Sequence, residues 1–368
     1  MSGSSAVSTR TIGSASVQPR GWRTLVRRAS LLAVVLIVVQ ARGTLGRTQD
    51  EGLPSQAPHA PTPAAAPDSL LWIEIRNVTM HLDERATIRV RRLRGQVRST
   101  SDGQPAILDD RNSFSIHVTS GTVGLTGEDL STLLNTFVFA YKGAPLKDLR
   151  ARPQDGQVSL NGTMHKGVDL GFDITAAMSL TPEGMIRLQP TDVRILGING
   201  LKLLHAIGLE LDDLLDLSGS RGATVKGDDI YLDAAKILPP PAIAGTLASA
   251  SVAGNEVVIE FQVTPADSVF ASYVLPDSTT PNFVYFRGAQ LRFGKLLMDD
   301  TDLHIADADP SDPFDLNLEE YAKQLVAGTS RTLPNMGLRV DMPDYDSVEP
   351  AMLADHRPDT PRTPRDRE

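Results

Sequence analysis

Residues 168–180 read VDLGFDITAAMSL, and every second position is apolar: Val168, Leu170, Phe172, Ile174, Ala176, Met178 and Leu180. Asp169, Asp173, Thr175 and Ser179 fall between them, the period-two alternation of a strand with one buried face. At about 3.3 Å per residue this strand would reach roughly 40 Å, more than twice the usual length. A strand of that reach sets the architecture, because its neighbours must be long enough to pair with it.

Working outward, the same alternation recurs at Ile73, Ile75 and then Val78, Met80, Leu82; at Ile88 and Val90; at Ile116 and Val118; and at Ile186 and Leu188. It continues at Val193 and Ile195, at Val257 to Val263, at Ala289, Leu291 and Phe293, and at Leu338, Val340 and Met342. The turn signals DERA, TPEG, AGNE and MDDTD separate many of these runs, as hairpins require, so the sheet is expected to be largely antiparallel. Three segments break the period. GEDLSTLLNTFVFAYKG (Gly127 to Gly143) sets Leu130, Leu133, Leu134, Phe137, Val138 and Tyr141 on one helical face and ends at a glycine suited to a C-cap. NGLKLLHAIGLELDDLLDL (Asn199 to Leu217) is apolar over most of its circumference, and DPFDLNLEEYAKQLVAG (Asp312 to Gly328) starts at an Asp cap with Pro313 in its first turn. The fold class expected is α+β, with a long, curved, mostly antiparallel sheet wrapping two or three amphipathic helices.

The two ends are poor folding material. An acid-free leader carrying Arg10, Arg20, Arg23, Arg27 and Arg28 precedes the apolar run LLAVVLIVVQ (Leu31 to Gln40) and the small residue Ala41. That is the order of a secretory signal, and the run is short for a bilayer span. Three readings stay open: a cleaved signal, an uncleaved N-terminal membrane anchor, or a buried cytoplasmic segment. Residues 42–68 follow as a Pro/Ala-rich linker, a semi-extended spacer. A β-rich globular domain is expected over residues 69–345, and a disordered tail over 346–368. The expected location is the periplasm or cell envelope, exported or tethered to the inner membrane.

Composition narrows the function. The 41% hydrophobic content supports a sizeable core, and the formal net charge of -9 disfavours nucleic acid, whose phosphates call for a basic patch. With no cysteine, the chain has no disulfide staples, thiolate catalysis or cysteine-ligated metal.

Catalytic motifs fail on spacing. GAQLRFGK (Gly288 to Lys295) has five residues between its glycines where a phosphate loop needs four, and Leu296 replaces the metal-binding hydroxyl, so a β-hairpin is expected. GTVGLTG (Gly121 to Gly127) lacks the one-residue glycine spacing of a dinucleotide cradle and is expected to form a turn into the first helix. LSGSRG (Leu217 to Gly222) lacks the leading glycine of a nucleophile elbow. The acid-rich run from Asp302 to Asp315, with His304, Asp307, Asp309 and Asp312, is the remaining candidate, for a loose calcium site or a calcium-dependent enzyme. An EF-hand is excluded, because Asp312 stands where the turn needs glycine and Leu318 occupies the twelfth position. His81, His117 and His165 have no second histidine at ligand spacing, and His205 lies on the polar stripe of its segment. No catalytic residue, metal or cofactor is assigned.

The order of a helix (Glu128 to Lys142), a strand (Gly156 to Met164), the long strand Val168 to Leu180, the turn TPEGM and a strand ending IRLQPTDVRILGI resembles the LmeA-like envelope proteins of the tubular lipid-binding superfamily. The likeness covers about Val118 to Val263, and the segment beyond Thr264 has no counterpart in it. It implies a curled antiparallel sheet around a helix and a groove for lipid or another apolar ligand. In this chain the groove would be lined by Leu133, Phe137, Phe172, Ile174, Met178, Leu204, Ile207 and Leu211. The alternative is a structural or partner-binding envelope protein with a filled core and no ligand. Membrane contact would come through the N-terminal segment if it is uncleaved.

Overall fold

Alternation becomes pairing along most of the chain. The computed structural model describes residues 70–350 and 352, apart from 83, 166, 201–209 and 273–279. The first stretch supplies β1 (Leu71–His81), β2 (Thr87–Ser99), β3 (Ala106–Ile107) and β4 (Phe114–Thr126). The middle supplies β5 (Leu146–Gln154), β6 (Gln157–His165), β7 (Asp169–Leu180), β8 (Ile186–Ile195), β9 (Ile198–Asn199), β10 (Ala223–Lys226) and β11 (Asp229–Leu232). The last stretch supplies β12 (Ala242–Ala244), β13 (Leu247–Ala253), β14 (Glu256–Phe261), β15 (Phe283–Gly288), β16 (Leu291–Phe293) and β17 (Leu296–Met298). It ends with β18 (Thr301–Asp307), β19 (Phe314–Asn317), β20 (Thr329–Thr332) and β21 (Leu338–Met342).

These strands form three sheets. The large one runs β13-β14-β4-β2-β1-β15-β18-β21-β20, with β12 beside β4 and β19 beside β1. The second runs β10-β11-β8-β7-β6-β5 with β9 beside β8, and the third is the short β17-β16-β3. Strand accounts for 52% and helix for 15%, so curled, mainly antiparallel sheets build the core. The parallel contacts are β1 with β19, β12 with β4, β16 with β3 and β18 with β21. Among the described residues no helix is long and apolar enough to cross a membrane.

The break in the first alternation has a backbone cause. Leu71, Ile73 and Ile75 enter the large core, and so do Val78 and Met80, so the inward parity of β1 switches between Ile75 and Val78. Asn77 there has φ 49°, a left-handed conformation that asparagine tolerates better than most residues. The facing strand switches in step, from Ile88 and Val90 to Leu93, while Val78 still faces Val90 and Ile75 still faces Leu93. Both strands therefore keep one apolar face inward past the irregularity.

The long strand forms as expected, and Phe172, Ile174 and Ala176 are buried while Asp169, Asp173 and Ser179 are exposed. Val168 departs from the expectation: it precedes β7 and is exposed, in the hairpin from β6. The first helix begins at Gly127, as read, under a Thr126–Asp129 capping box, but its α-turns stop at Leu133 and pass into a π-helical segment, Leu134–Val138. Gly127 is fixed by proximity, since a Cβ there would sit 2.5 Å from the Ala151 carbonyl oxygen. Residues 121–126, read as a turn, are instead the end of β4. Much of the second helical segment lies outside the described residues; a short helix, Leu211–Leu214, is seen near its end. The third is corrected: Pro313 leads into β19, which pairs with β1, and the helix is confined to Tyr321–Ala327 before Gly328. The alternating Phe314 and Leu316 satisfy a strand, and pairing overrides the capping signal.

Candidate functional site

A group of charged and aromatic side chains lies on the second face of the large sheet. On β1 the odd residues 71, 73 and 75 enter the main core, which turns Trp72, Glu74 and Arg76 to the opposite side. Register then carries a row across five strands: Arg94 faces Glu74, Glu74 faces Tyr285, Tyr285 faces His304 and His304 faces Arg339. Glu74 is only 2% exposed, and its carboxylate accepts from Arg76 Nε at 2.6 Å and from Arg94 Nε at 3.0 Å. Arg94 also reaches Asp267 at 3.4 Å, and Ser120 Oγ donates to the same carboxylate at 2.5 Å. The helix Pro265–Phe270 thus clamps onto the sheet, with Phe270 stacked on Trp72 at 5.5 Å and under the Arg94 guanidinium at 5.6 Å.

Further along, Phe283 and Tyr285 set their rings edge-on to His304 at 5.2 and 5.9 Å. Arg339 binds Asp341 through Nε and Nη2 at 2.9 and 2.7 Å and donates to Thr280 at 3.2 Å. Asp302 accepts from Asn335 at 2.7 Å and lies 3.6 Å from Arg287. Burial pushes the Tyr285 hydroxyl far above its ordinary value, and Asp302 adds to the shift. β18 is buried at all of its positions, while Arg76 and Arg287 reach the solvent at the margins of this face. Paired charges in such a setting fix geometry.

A second polar group gathers the acid-rich segment. Asn282 donates to Asp307 at 2.9 Å and to the Asp312 carbonyl, and accepts from Asn77 at 2.7 Å. Burial raises the Asp307 carboxyl. Burial, with Asp307, Asp312 and Asp315 nearby, pushes Asp344 up to about 6, although its carboxylate accepts from the Asp315 amide at 2.6 Å. His81 Nε2 is 2.6 Å from Asp315 Oδ1, and that bond raises the imidazole above its ordinary value. The acids between Asp302 and Asp315 thus point to several different partners. Among the described residues no group of three or more His, Asp or Glu side chains is placed to hold a metal ion.

Of the eight residues expected to line one groove, the six that are described divide between two cores. Leu133 belongs to the large cluster, with Phe137 and Met178 packed against it. Phe172, Ile174 and Leu211 belong to the cluster on the smaller sheet, together with Phe139, Leu149 and Val193. Leu204 and Ile207 lie outside the described residues. The large core contains a cavity of about 20 Å³ walled by Ile73, Met80, Phe114, Val284 and Phe286, room for about one water molecule. An open hollow of about 460 Å³ lies outside it, against Asn135, Phe139, Lys147, Asp148 and Arg150.

Sequence reasoning missed the buried polar row because Glu74 and Arg339 sit at positions that alternation assigns to solvent, and Arg94 lies beyond the alternation read at Ile88 and Val90. The signal was present in LWIEI and FVYF, runs too continuously apolar for a strand with one wet face. Compared with known proteins, the chain matches no family, no curated protein and no solved structure.

Proposed function

We propose that this chain is a non-catalytic protein of the cell envelope, exported or membrane-tethered through its N-terminal segment, and that it works as a structural or partner-binding element with a filled interior. The observation that carries this reading is the cavity of about 20 Å³ in the large core, against a second face occupied by mutually paired charges. An acyl chain needs a continuous apolar slot, and that cavity admits about one water. The envelope placement rests on the basic leader and the apolar run Leu31 to Gln40.

The lipid-binding alternative, with an apolar groove on the smaller sheet, retains one supporting observation. Phe172, Ile174 and Leu211 share an apolar cluster on the smaller sheet, as a ligand-lining set of the LmeA-like kind would. Native mass spectrometry of the exported protein, followed by lipid extraction, separates the two. The filled-core reading predicts the polypeptide mass alone; stoichiometric lipid would overturn it in favour of the groove.

A further inference from the structure

One end of the smaller sheet exposes apolar side chains where polar ones would cost less. β8 and β9 are joined by a two-residue turn, Leu196–Gly197, with Ile195 facing Ile198 and Arg194 facing Asn199. Leu196 has φ 52° and Gly197 φ 78°, both left-handed, the pattern of a type I′ turn, for which Asn-Gly is the favoured pair. A leucine there is unfavourable twice over. Its Cβ crowds the backbone in that conformation, and its side chain stands 66% exposed. Its neighbours repeat the anomaly, with Ile198 63% exposed and Val168, in the adjacent β6–β7 hairpin, 62% exposed.

The two hairpins belong to one rim. The Leu196 amide donates to the Gly171 carbonyl at 3.0 Å, and Phe172 faces Ile195. At the opposite end of this sheet Ile186 enters the large core and Leu180 packs against it, so the rim is the end away from the large sheet. Lys147 is exposed beside it, close enough to depress the carboxyl of Asp169 after the stronger effect of the His165 hydrogen bond. Side chains that project from turns do not offer the flat, packed patch of a protein interface; they suit a medium that can be penetrated.

We infer that this rim, Val168, Leu196 and Ile198, dips into the interfacial region of a lipid bilayer. The inference rests on the proposed envelope placement for its partner. If the run ending at Gln40 is held in the membrane, residues 41–69 give the domain a reach of roughly 30 Å from the surface. Tethering on that scale raises the effective concentration of lipid around the whole domain.

The absence of cysteine makes a local test possible. Full-length Ile198→Cys and Arg331→Cys, the second on the exposed edge strand β20, are each labelled with an environment-sensitive fluorophore. They are mixed with vesicles of phosphatidylethanolamine and phosphatidylglycerol, some carrying doxyl-labelled acyl chains. The expected result is a blue shift and quenching at position 198 and neither at 331. Adding Leu196→Asn and Val168→Ser should abolish the response at 198 while the melting temperature stays level or rises, because asparagine suits the turn. Equal responses at both positions, or a response that survives those substitutions, would overturn the inference. Flotation of the same vesicles separates the two levels: chains that float without a response at 198 overturn the rim alone, and chains that do not float overturn the membrane tether with it.

Discussion

The two principal sheets treat their second faces differently. In the large sheet both faces of β15, β18 and the first half of β1 are buried, and Glu74, Tyr285 and His304 are buried with them. In the smaller sheet the first half of β7 alternates, with Ile174 buried and Asp173 exposed. Burial of charge is therefore a local property, set by whether a partner of opposite sign lies on the adjacent strand. Glu74 tolerates burial because Arg76 and Arg94 bracket it, whereas Ile174 faces Leu160 and Val193 on its two neighbouring strands.

Substitution can break this contrast directly. Ile174→Asp places a carboxylate among Phe172, Val193 and Leu149 without a partner, and the expected cost is several kcal/mol, comparable with the whole stability of a domain. Asp173→Asn, one residue along on the solvent side, is expected to be nearly neutral. In the large sheet the sensitivity reverses: Glu74→Ala takes from Arg94 the closer of its two counter-charges, leaving only Asp267 at 3.4 Å, and should cost on the order of 3 kcal/mol. Urea titration of the three variants checks the contrast, and equal tolerance of Ile174→Asp and Asp173→Asn would remove it.

A smaller effect sharpens the comparison within the large sheet. Asp344 and His81 both bind their protons more tightly in the folded chain than in the unfolded one. Their contribution to stability is complete below the unfolded values. It is lost as pH rises, through about 6 for Asp344 and above the ordinary imidazole value for His81. Asp344→Asn keeps an acceptor for the Asp315 amide and removes the charge. Because Asp344 is partly exposed, solvent screening reduces the expected gain at neutral pH to on the order of 1 kcal/mol, a rise in melting temperature of about 3 °C. Near pH 4 the gain should shrink towards zero, and melts at the two pH values read the difference.

The backbone of the fold was legible where side-chain period alone decides it. The strands containing Ile73, Ile174, Val193 and Val257 stand where alternation placed them, and DERA, TPEG and AGNE connect hairpins. The helix proposed from Asp312 was misread because a cap-like Asp-Pro pair also begins β19, and parallel pairing with β1, a long-range contact, decided the outcome. The polar row was hidden for the same reason, since Glu74 and Arg94 become neighbours only through register. Of the groove residues, the alternation correctly turned Phe172 and Ile174 inward, but period does not say which core a strand enters. Met178 and Phe172 lie on the same strand and pack in different clusters. The bulge between Thr175 and Ala176, where pairing with β8 shifts, falls between them.

The central claim, that the inward face of the smaller sheet is filled by protein, is tested most directly by the thermal and urea stability of Phe172→Ala. Phe172 is 5% exposed and packed among Leu149, Ile174 and Val193. A filled core predicts a loss of about 3 to 5 kcal/mol, the cost of removing a buried ring and leaving a cavity. A stability close to that of the wild type, with the loss appearing instead in bound lipid, would contradict the account and establish the groove.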